Sequence, residues 1–158
     1  MFLNPFGFDD KPPYPRQFYK SGEDLETATR IDVPESGAVL DIDFTLPPPF
    51  TRKTIEVLVR NAQGLPVAGA QVLARDQAFP NSSGLPGQNT GADGKGMLEV
   101  YAERSYYITA TINTAGGKQE CGGPEKLDPR NASSVTITIV HTIGNCLAYL
   151  NPEFKGPK

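Results

Sequence analysis

Hydrophobic and polar residues alternate along several short stretches of this chain. In TIEVLVRN (54–61), Ile55, Val57 and Val59 share one side and polar residues share most of the other. Successive side chains of a β-strand point to opposite faces, so this pattern predicts a half-buried strand. The same reasoning predicts strands within residues 39–46, 54–61, 69–76, 97–102, 105–113 and 134–141.

Turn-forming residues separate these stretches. The 158 residues include 16 glycines and 15 prolines, a content that favours many turns and few helices. Residues 76–92 and 113–133 are predicted as loops, and Asp93-Gly94 as a hairpin-type turn. No ten-residue segment has a convincing helical period. The sequence therefore predicts an all-β fold, an antiparallel sandwich of about seven strands.

A proline run divides the chain. Pro47, Pro48 and Pro49 end the first predicted strand, whose inward face carries Leu46, and form a stiff spacer. We therefore predict three parts: an extended N-terminal segment with one or two strands (1–49), a sandwich domain (50–150) and a tail (151–158). Because the first segment is rich in aromatic residues, we expect it to pack on the domain or on a neighbour missing from this chain.

Two turn segments in a fixed order resemble those of a known domain family. They are GLPVAGAQV (64–72) and TGADGKG (90–96). Flanked by strands, they resemble the carboxypeptidase regulatory-like domain, a transthyretin-like or prealbumin-like sandwich of the immunoglobulin-like class. The residues that match its turn pattern are Gly64, Pro66, Gly69, Ala70, Val72, Thr90, Asp93 and Gly94. Gly91 and Gly96 depart from that pattern, because an acidic and an aromatic residue are common there.

The preceding segment resembles the junction before such domains in large bacterial envelope proteins. The matching residues are Tyr14, Pro15, Phe18, Tyr19, Ala28, Thr29, Ile31, Val33, Gly37, Asp43, Phe44, Leu46, Pro47 and Pro48. Together the resemblances cover residues 14–141. They imply a non-catalytic module of a larger envelope or secreted protein, located in the periplasm, on the cell surface or outside the cell. Its partners would be neighbouring domains of the same chain.

Net charge and hydropathy limit the classes of partner that the sequence predicts. The formal net charge is -3, so the chain lacks the basic footprint of a nucleic-acid-binding protein. No apolar run is long enough to span a membrane. The N-terminus does not have the pattern of a signal peptide. On this evidence alone, the chain is either a cytoplasmic protein or a fragment of a larger one.

The two cysteines bear on that choice. Cys121 and Cys146 each lie beside a predicted strand end. A disulfide between them would close a loop of about 25 residues and stabilise the fold by roughly 3–4 kcal/mol. It would also imply an oxidising compartment. We predict the disulfide, with two unpaired buried thiols as the alternative.

The sequence contains few of the residues and motifs that enzyme active sites use. Its one histidine, His141, continues the inward face of the last predicted strand, so we expect a structural role. The related hydroxyisourate hydrolases use several histidines, and intradiol dioxygenases use two histidines and two tyrosines on iron. No nucleophile elbow, phosphate loop or dinucleotide fingerprint is present, so we predict no catalytic site and no cofactor. Asp41 and Asp43 alternate on a polar face that we expect to be solvated rather than to bind calcium.

Aromatic residues are the best candidates for ligand contact. Tyr106 and Tyr107 have opposite parity in one predicted strand, and Tyr101 ends another. We identify Tyr101 and Tyr107 as possible ligand-facing residues. The alternative function is therefore a polysaccharide- or peptide-binding module that uses these tyrosines or the loops at 76–92 and 113–133.

Overall fold

A computed structural model describes nearly all of residues 45–143 and scattered residues before them. The described residues are 14, 18–19, 26, 28–32, 35–36, 43, 45–79, 83–114 and 116–143, with the backbone alone at 141–143. The chain divides into two compact units, Met1–Phe50 and Thr51–Lys158.

Seven strands form nearly all the regular structure in the described part of the chain. They are β1 (Arg52–Asn61), β2 (Gln71–Asp76), β3 (Leu85–Pro86), β4 (Lys95–Tyr101), β5 (Tyr106–Asn113), β6 (Gln119–Leu127) and β7 (Ser134–Ile143). The predicted all-β class and the near absence of helix are therefore confirmed for these residues.

The strands form one mixed sheet in the order β3-β2-β5-β6-β7-β1-β4. β1 pairs in parallel with β7, from Glu56 opposite Ser134 to Asn61 opposite Ile139. The other pairings are antiparallel. The prediction of a purely antiparallel arrangement is therefore wrong at this pair. Alternation along a strand reveals which side is buried, but it does not reveal the partner of a strand almost eighty residues away.

The sheet nearly closes into a barrel. After β3, the Gly87 N–H donates to the Val72 carbonyl at 2.9 Å, on the side of β2. The next amide, Gln88 N–H, donates to the Met97 carbonyl of β4 at 2.8 Å. Residues 87–91 thus join the two edges of the sheet, and the hydrogen bonds do not separate two distinct sheets.

The core lies on the inner face of this sheet. The predicted inward residues of β1, Ile55, Val57 and Val59, are fully buried. The other strands contribute Val72, Ala74, Leu85, Leu98, Val100, Tyr106, Ile108, Ala110, Leu127, Ile137 and Ile139. Val135 and Ile112 share the inward parity of β7 and β5, and they pack against this cluster while remaining partly exposed. Both lie near strand ends, where fewer neighbours cover a side chain.

β6 lies inside the segment 113–133 that was predicted as a loop. Gly122, Gly123 and Pro124 interrupt its alternation, and the Gly123–Pro124 peptide is cis. Its pairing with β5 and with β7 shifts register at this point. The glycines and the proline hide the strand from a pattern analysis. β3 similarly lies inside the other predicted loop, 76–92, because two residues are too short to show a period.

The first unit shows no strand among its described residues. Asp43, Thr45 and Leu46 fall within the strand predicted at 39–46 but are irregular, and Leu46 is 53% exposed rather than buried. Leu46 directly precedes the proline run, which removes the backbone donors that a strand pairing needs. The rest of that predicted strand lies outside the described residues.

Candidate functional site

The two turn segments that carry the family resemblance meet at one end of the sheet. Thr90 is buried, and its hydroxyl accepts a hydrogen bond from the Ala70 N–H at 2.9 Å. The same hydroxyl donates to the Val67 carbonyl at 2.6 Å. The Gly69 N–H donates to the Thr90 carbonyl at 2.7 Å. Thr90 therefore fastens one turn to the other.

Gly94 completes this contact through its backbone. Its φ is +75°, and its carbonyl accepts the Val59 N–H at 2.8 Å. A Cβ here would lie 2.6 Å from the Val59 carbonyl oxygen and 2.9 Å from the Pro66 Cβ. The neighbouring Asp93 carboxylate accepts the Lys95 N–H at 3.1 Å. These residues shape and join the two turns, so we assign them no ligand.

A polar cluster closes the opposite end of β2. Asp76 Oδ2 lies 3.7 Å from Arg104 Nε, and Asp76 Oδ1 accepts the Ala78 N–H at 2.8 Å. The Arg104 guanidinium lies over the Phe79 ring, 5.5 Å from its centroid. The Gln77 side chain donates to the Tyr106 carbonyl at 3.1 Å. This cluster holds the β4–β5 connection against the end of β2.

Tyr106 anchors the same connection from inside. Its hydroxyl accepts the Tyr101 N–H at 3.0 Å, and its side chain is fully buried. Burial raises the pKa of the Tyr106 hydroxyl to about 12, with the Asp76 charge adding to the shift. The hydroxyl is therefore neutral at ordinary pH and acts as part of the core.

The two tyrosines selected from the sequence differ in exposure. Tyr101 retains only 6% of its surface, so it offers little area to a ligand. Tyr107 is half-buried and lies on the outer face of β5, opposite in parity to the buried Tyr106 and Ile108. The structure therefore does not bring these two tyrosines together as one exposed aromatic surface.

Tyr107 has cationic neighbours that sequence reasoning missed. In register, Arg75 of β2 lies opposite Tyr107, and Lys126 of β6 lies opposite it on the other side. The signal was present in the sequence, since Arg75 and Lys126 directly follow and precede the inward residues Ala74 and Leu127. It needed the pairing of three strands to become visible, and β6 had been predicted as loop.

A shallow pocket of about 470 Å³ lies elsewhere on the second unit. It is lined by Thr54, Pro86, Gly87, Gln88, Met97 and Glu99. The side chain of Met97 is 43% exposed. Nearby, Arg52 Nη1 lies 3.5 Å from Glu99 Oε2, and Lys95 Nζ lies 3.0 Å from Glu56 Oε2. This lining offers neither a nucleophile with an adjacent base nor a set of metal ligands.

The remaining candidates are placed only in part. Cys121 is fully buried in β6, whereas Cys146 lies outside the described residues, so their disulfide stays a prediction. His141 belongs to β7, and its side chain is outside the description. Asp43 is exposed, and Asp41 is not described. Among the described residues, no three histidine, cysteine, aspartate or glutamate side chains gather into a possible metal site.

Comparison with known proteins adds no assignment. In the described part of the chain, no helix has the length and apolar character to cross a membrane. No protein-family model matches the sequence, and no curated protein matches it. The resemblance to the carboxypeptidase regulatory-like domain accordingly remains a prediction from the two turn segments and their order.

Proposed function

We propose that this chain is a non-catalytic, extracytoplasmic β-module of a larger envelope or secreted protein, where it bears load and holds neighbouring domains apart. The observation that carries this proposal is the parallel ladder between β1 and β7, the first and last strands in the part of the chain that the structure describes. β1 and β7 are paired over six positions, from Glu56 with Ser134 to Asn61 with Ile139.

This ladder has a particular response to tension. In a parallel pair, the start of β1 lies beside the start of β7. A pull on the N-terminal side of β1 and the C-terminal side of β7 therefore slides the strands past each other. The ladder bonds run across the strands, so they resist this sliding together rather than one at a time. A module that spaces domains in an extended protein benefits from this geometry.

Each of the two strands is also hydrogen-bonded along its other edge, β7 to β6 and β1 to β4. β1 pairs with β4 from Arg52 opposite Tyr101 to Leu58 opposite Lys95. Near the start of β1, the Thr51 N–H donates to both carboxylate oxygens of Glu103, at 3.0 and 3.1 Å. Lys53 Nζ also donates to the Pro129 carbonyl. Sliding β1 against β7 would break these contacts too.

Two features support an immunoglobulin-like or prealbumin-like ancestry for the fold. The Tyr106 hydroxyl accepts a backbone N–H five residues upstream, as in the tyrosine corner of immunoglobulin-like domains. In addition, β6 pairs with β5 along both of its halves but with β7 only through Gln119–Gly122. On our proposal, β6 is the strand at which two sandwich sheets have become continuous.

Force spectroscopy on single molecules of the full chain tests the proposed role. One preparation is held at the two chain ends, which loads β1 and β7 in the sliding geometry. A second is held at residue 63 and at the C-terminal end, which pulls the adjacent ends of both strands apart. We expect a markedly higher unfolding force in the first geometry, because unfolding under load reports the barrier to breaking the loaded contacts. Equal forces, or a lower force with end-to-end loading, would contradict the load-bearing role.

A further inference from the structure

We infer that the row formed by Arg75, Tyr107 and Lys126 on the outer face of the sheet binds an acidic polysaccharide. The three residues lie directly opposite one another on β2, β5 and β6. Neighbouring strands are about 5 Å apart, so the two cationic side chains begin about 10 Å apart with the tyrosine between them. This row is independent of the load-bearing ladder between β1 and β7.

Among the residues that the structure describes, the two cations of the row have no acidic partner. Neither side chain makes a hydrogen bond or an ion pair with a described residue, and the Arg75 Nε is buried without a hydrogen-bond partner there. By contrast, Arg52, Lys95, Arg104 and Arg130 each pair with a carboxylate. Glu125 adjoins Lys126 in sequence but belongs to the next row, opposite Ile108. A buried guanidinium donor without an acceptor is costly, and an anionic ligand that draws the guanidinium outward would supply one.

Tyr107 indicates that the ligand contains a ring as well as negative charge. Tyr107 is half-buried and lies on the outer face, and its hydroxyl makes no hydrogen bond to a described residue, so part of an apolar ring with a polar tip faces outward between the two charges. An aromatic ring offers an apolar surface against which the C–H face of a sugar ring can pack. A sugar with carboxylates on either side matches the row in both ring and charge.

A nucleic acid also combines rings and negative charge, but the protein fits it less well. Affinity for a nucleic acid is supplied mainly by many phosphate contacts. Two cations on a chain of net charge -3 provide few such contacts. A short stretch of acidic sugar needs only the two carboxylate contacts that the row offers.

The test titrates the isotopically labelled full chain with an oligogalacturonate and with its methyl ester, which keeps the sugar rings but removes the charge. We expect saturable binding of the acid, with amide shifts centred on Arg75, Tyr107 and Lys126, and about tenfold weaker binding of the ester, as expected for loss of a charge-assisted contact. Equal binding of both forms, or no saturable binding by the folded chain, would overturn the inference. Equally tight binding of poly-glutamate or of an oligothymidylate would also overturn it, because the protein would then bind polyanions without selecting the acidic sugar.

Variants separate the row from general electrostatic attraction. Tyr107→Ala should weaken binding about tenfold, whereas Tyr107→Phe, which keeps the ring, should bind as the wild type does. Lys126→Gln should weaken it about two- to fivefold, the range for an exposed ion pair. Lys118→Gln changes an exposed lysine in the β5–β6 turn and serves as the matched control. Equal losses in Lys118→Gln and Lys126→Gln, or full binding by a folded Tyr107→Ala, would contradict the assignment.

Discussion

At the scale of single residues, the most demanding positions are those where a side chain or its absence joins two distant parts of the chain. Tyr106 places a neutral hydroxyl beside the Tyr101 amide, and Gly94 allows a turn to lie against Val59 and Pro66. Each contact can be tested by a small substitution. The same substitution at Tyr107 or at Gly64, where the contact is lacking, serves as the matched control.

Replacement of Tyr106 by phenylalanine removes the acceptor of the Tyr101 N–H. The amide is then left without that partner, so we expect a loss of about 1–3 kcal/mol in the free energy of unfolding. Tyr107→Phe removes a hydroxyl that makes no hydrogen bond to a described residue and should change that free energy by less than about 0.5 kcal/mol. Urea unfolding of the three proteins at neutral pH provides the comparison. Similar effects of the two substitutions would refute the role of the Tyr106 hydroxyl.

The same tyrosine should make stability depend on alkaline pH. The raised pKa means that the folded protein keeps this proton to about pH 12, whereas the unfolded chain releases it near pH 10. Between those values the unfolded state binds fewer protons, so the free energy of unfolding falls as pH rises. The advantage of the wild type over Tyr106→Phe, followed by urea unfolding, should therefore be constant below about pH 10 and shrink above it, by at most about 1.4 kcal/mol per pH unit. A constant difference up to pH 12 would contradict the shift.

Gly94→Ala should destabilise the fold more than Gly64→Ala does. Both glycines have positive φ, but a Cβ at Gly64 meets nothing within 4 Å. Gly64→Ala should cost about 1 kcal/mol for its backbone conformation alone. Gly94→Ala should cost at least about 3 kcal/mol, because a clash with the Val59 carbonyl is added. Equal midpoints in chemical unfolding would show that the two turns are not in close contact.

At the scale of elements, local patterns predicted the strands that have an uninterrupted alternation. β1, β2, β4, β5 and β7 were predicted close to their observed bounds, and the buried face of β1 was predicted residue by residue. β6 was missed because Gly122, Gly123 and Pro124 break its period, and β3 because it has two residues. β6 is recognised as a strand by its pairing with β5 and β7, and its own residues show no regular alternation.

The same limit applies to the candidate site. Tyr107 could be selected as an outward aromatic residue from its parity within one strand. Arg75 and Lys126 could not be joined to it, since their alignment depends on two antiparallel registers, one of them with the missed β6. The selection of Tyr101 assumed that a strand end is exposed, whereas this residue is buried. Tertiary packing, which no local pattern encodes, decided its exposure.

At the scale of the whole molecule, the proposed role depends on the parallel pairing of β1 with β7. A ladder between β1 and β7 places the mechanical connection between the entering and leaving chain in one pair of strands. The outer row on β2, β5 and β6 lies away from that pair in the strand order. The proposed load-bearing role and the proposed ligand binding can therefore be altered separately, by substitutions in different strands.

The parallel pairing of β1 with β7 can be measured by NMR in solution on the isotopically labelled chain. A parallel ladder should give backbone nuclear Overhauser contacts between Val57 and Val135 and between Val59 and Ile137, the pairs that face each other. Contacts that instead ran in the antiparallel sense, or the absence of any contact between these strands in the folded protein, would contradict the proposed load-bearing ladder.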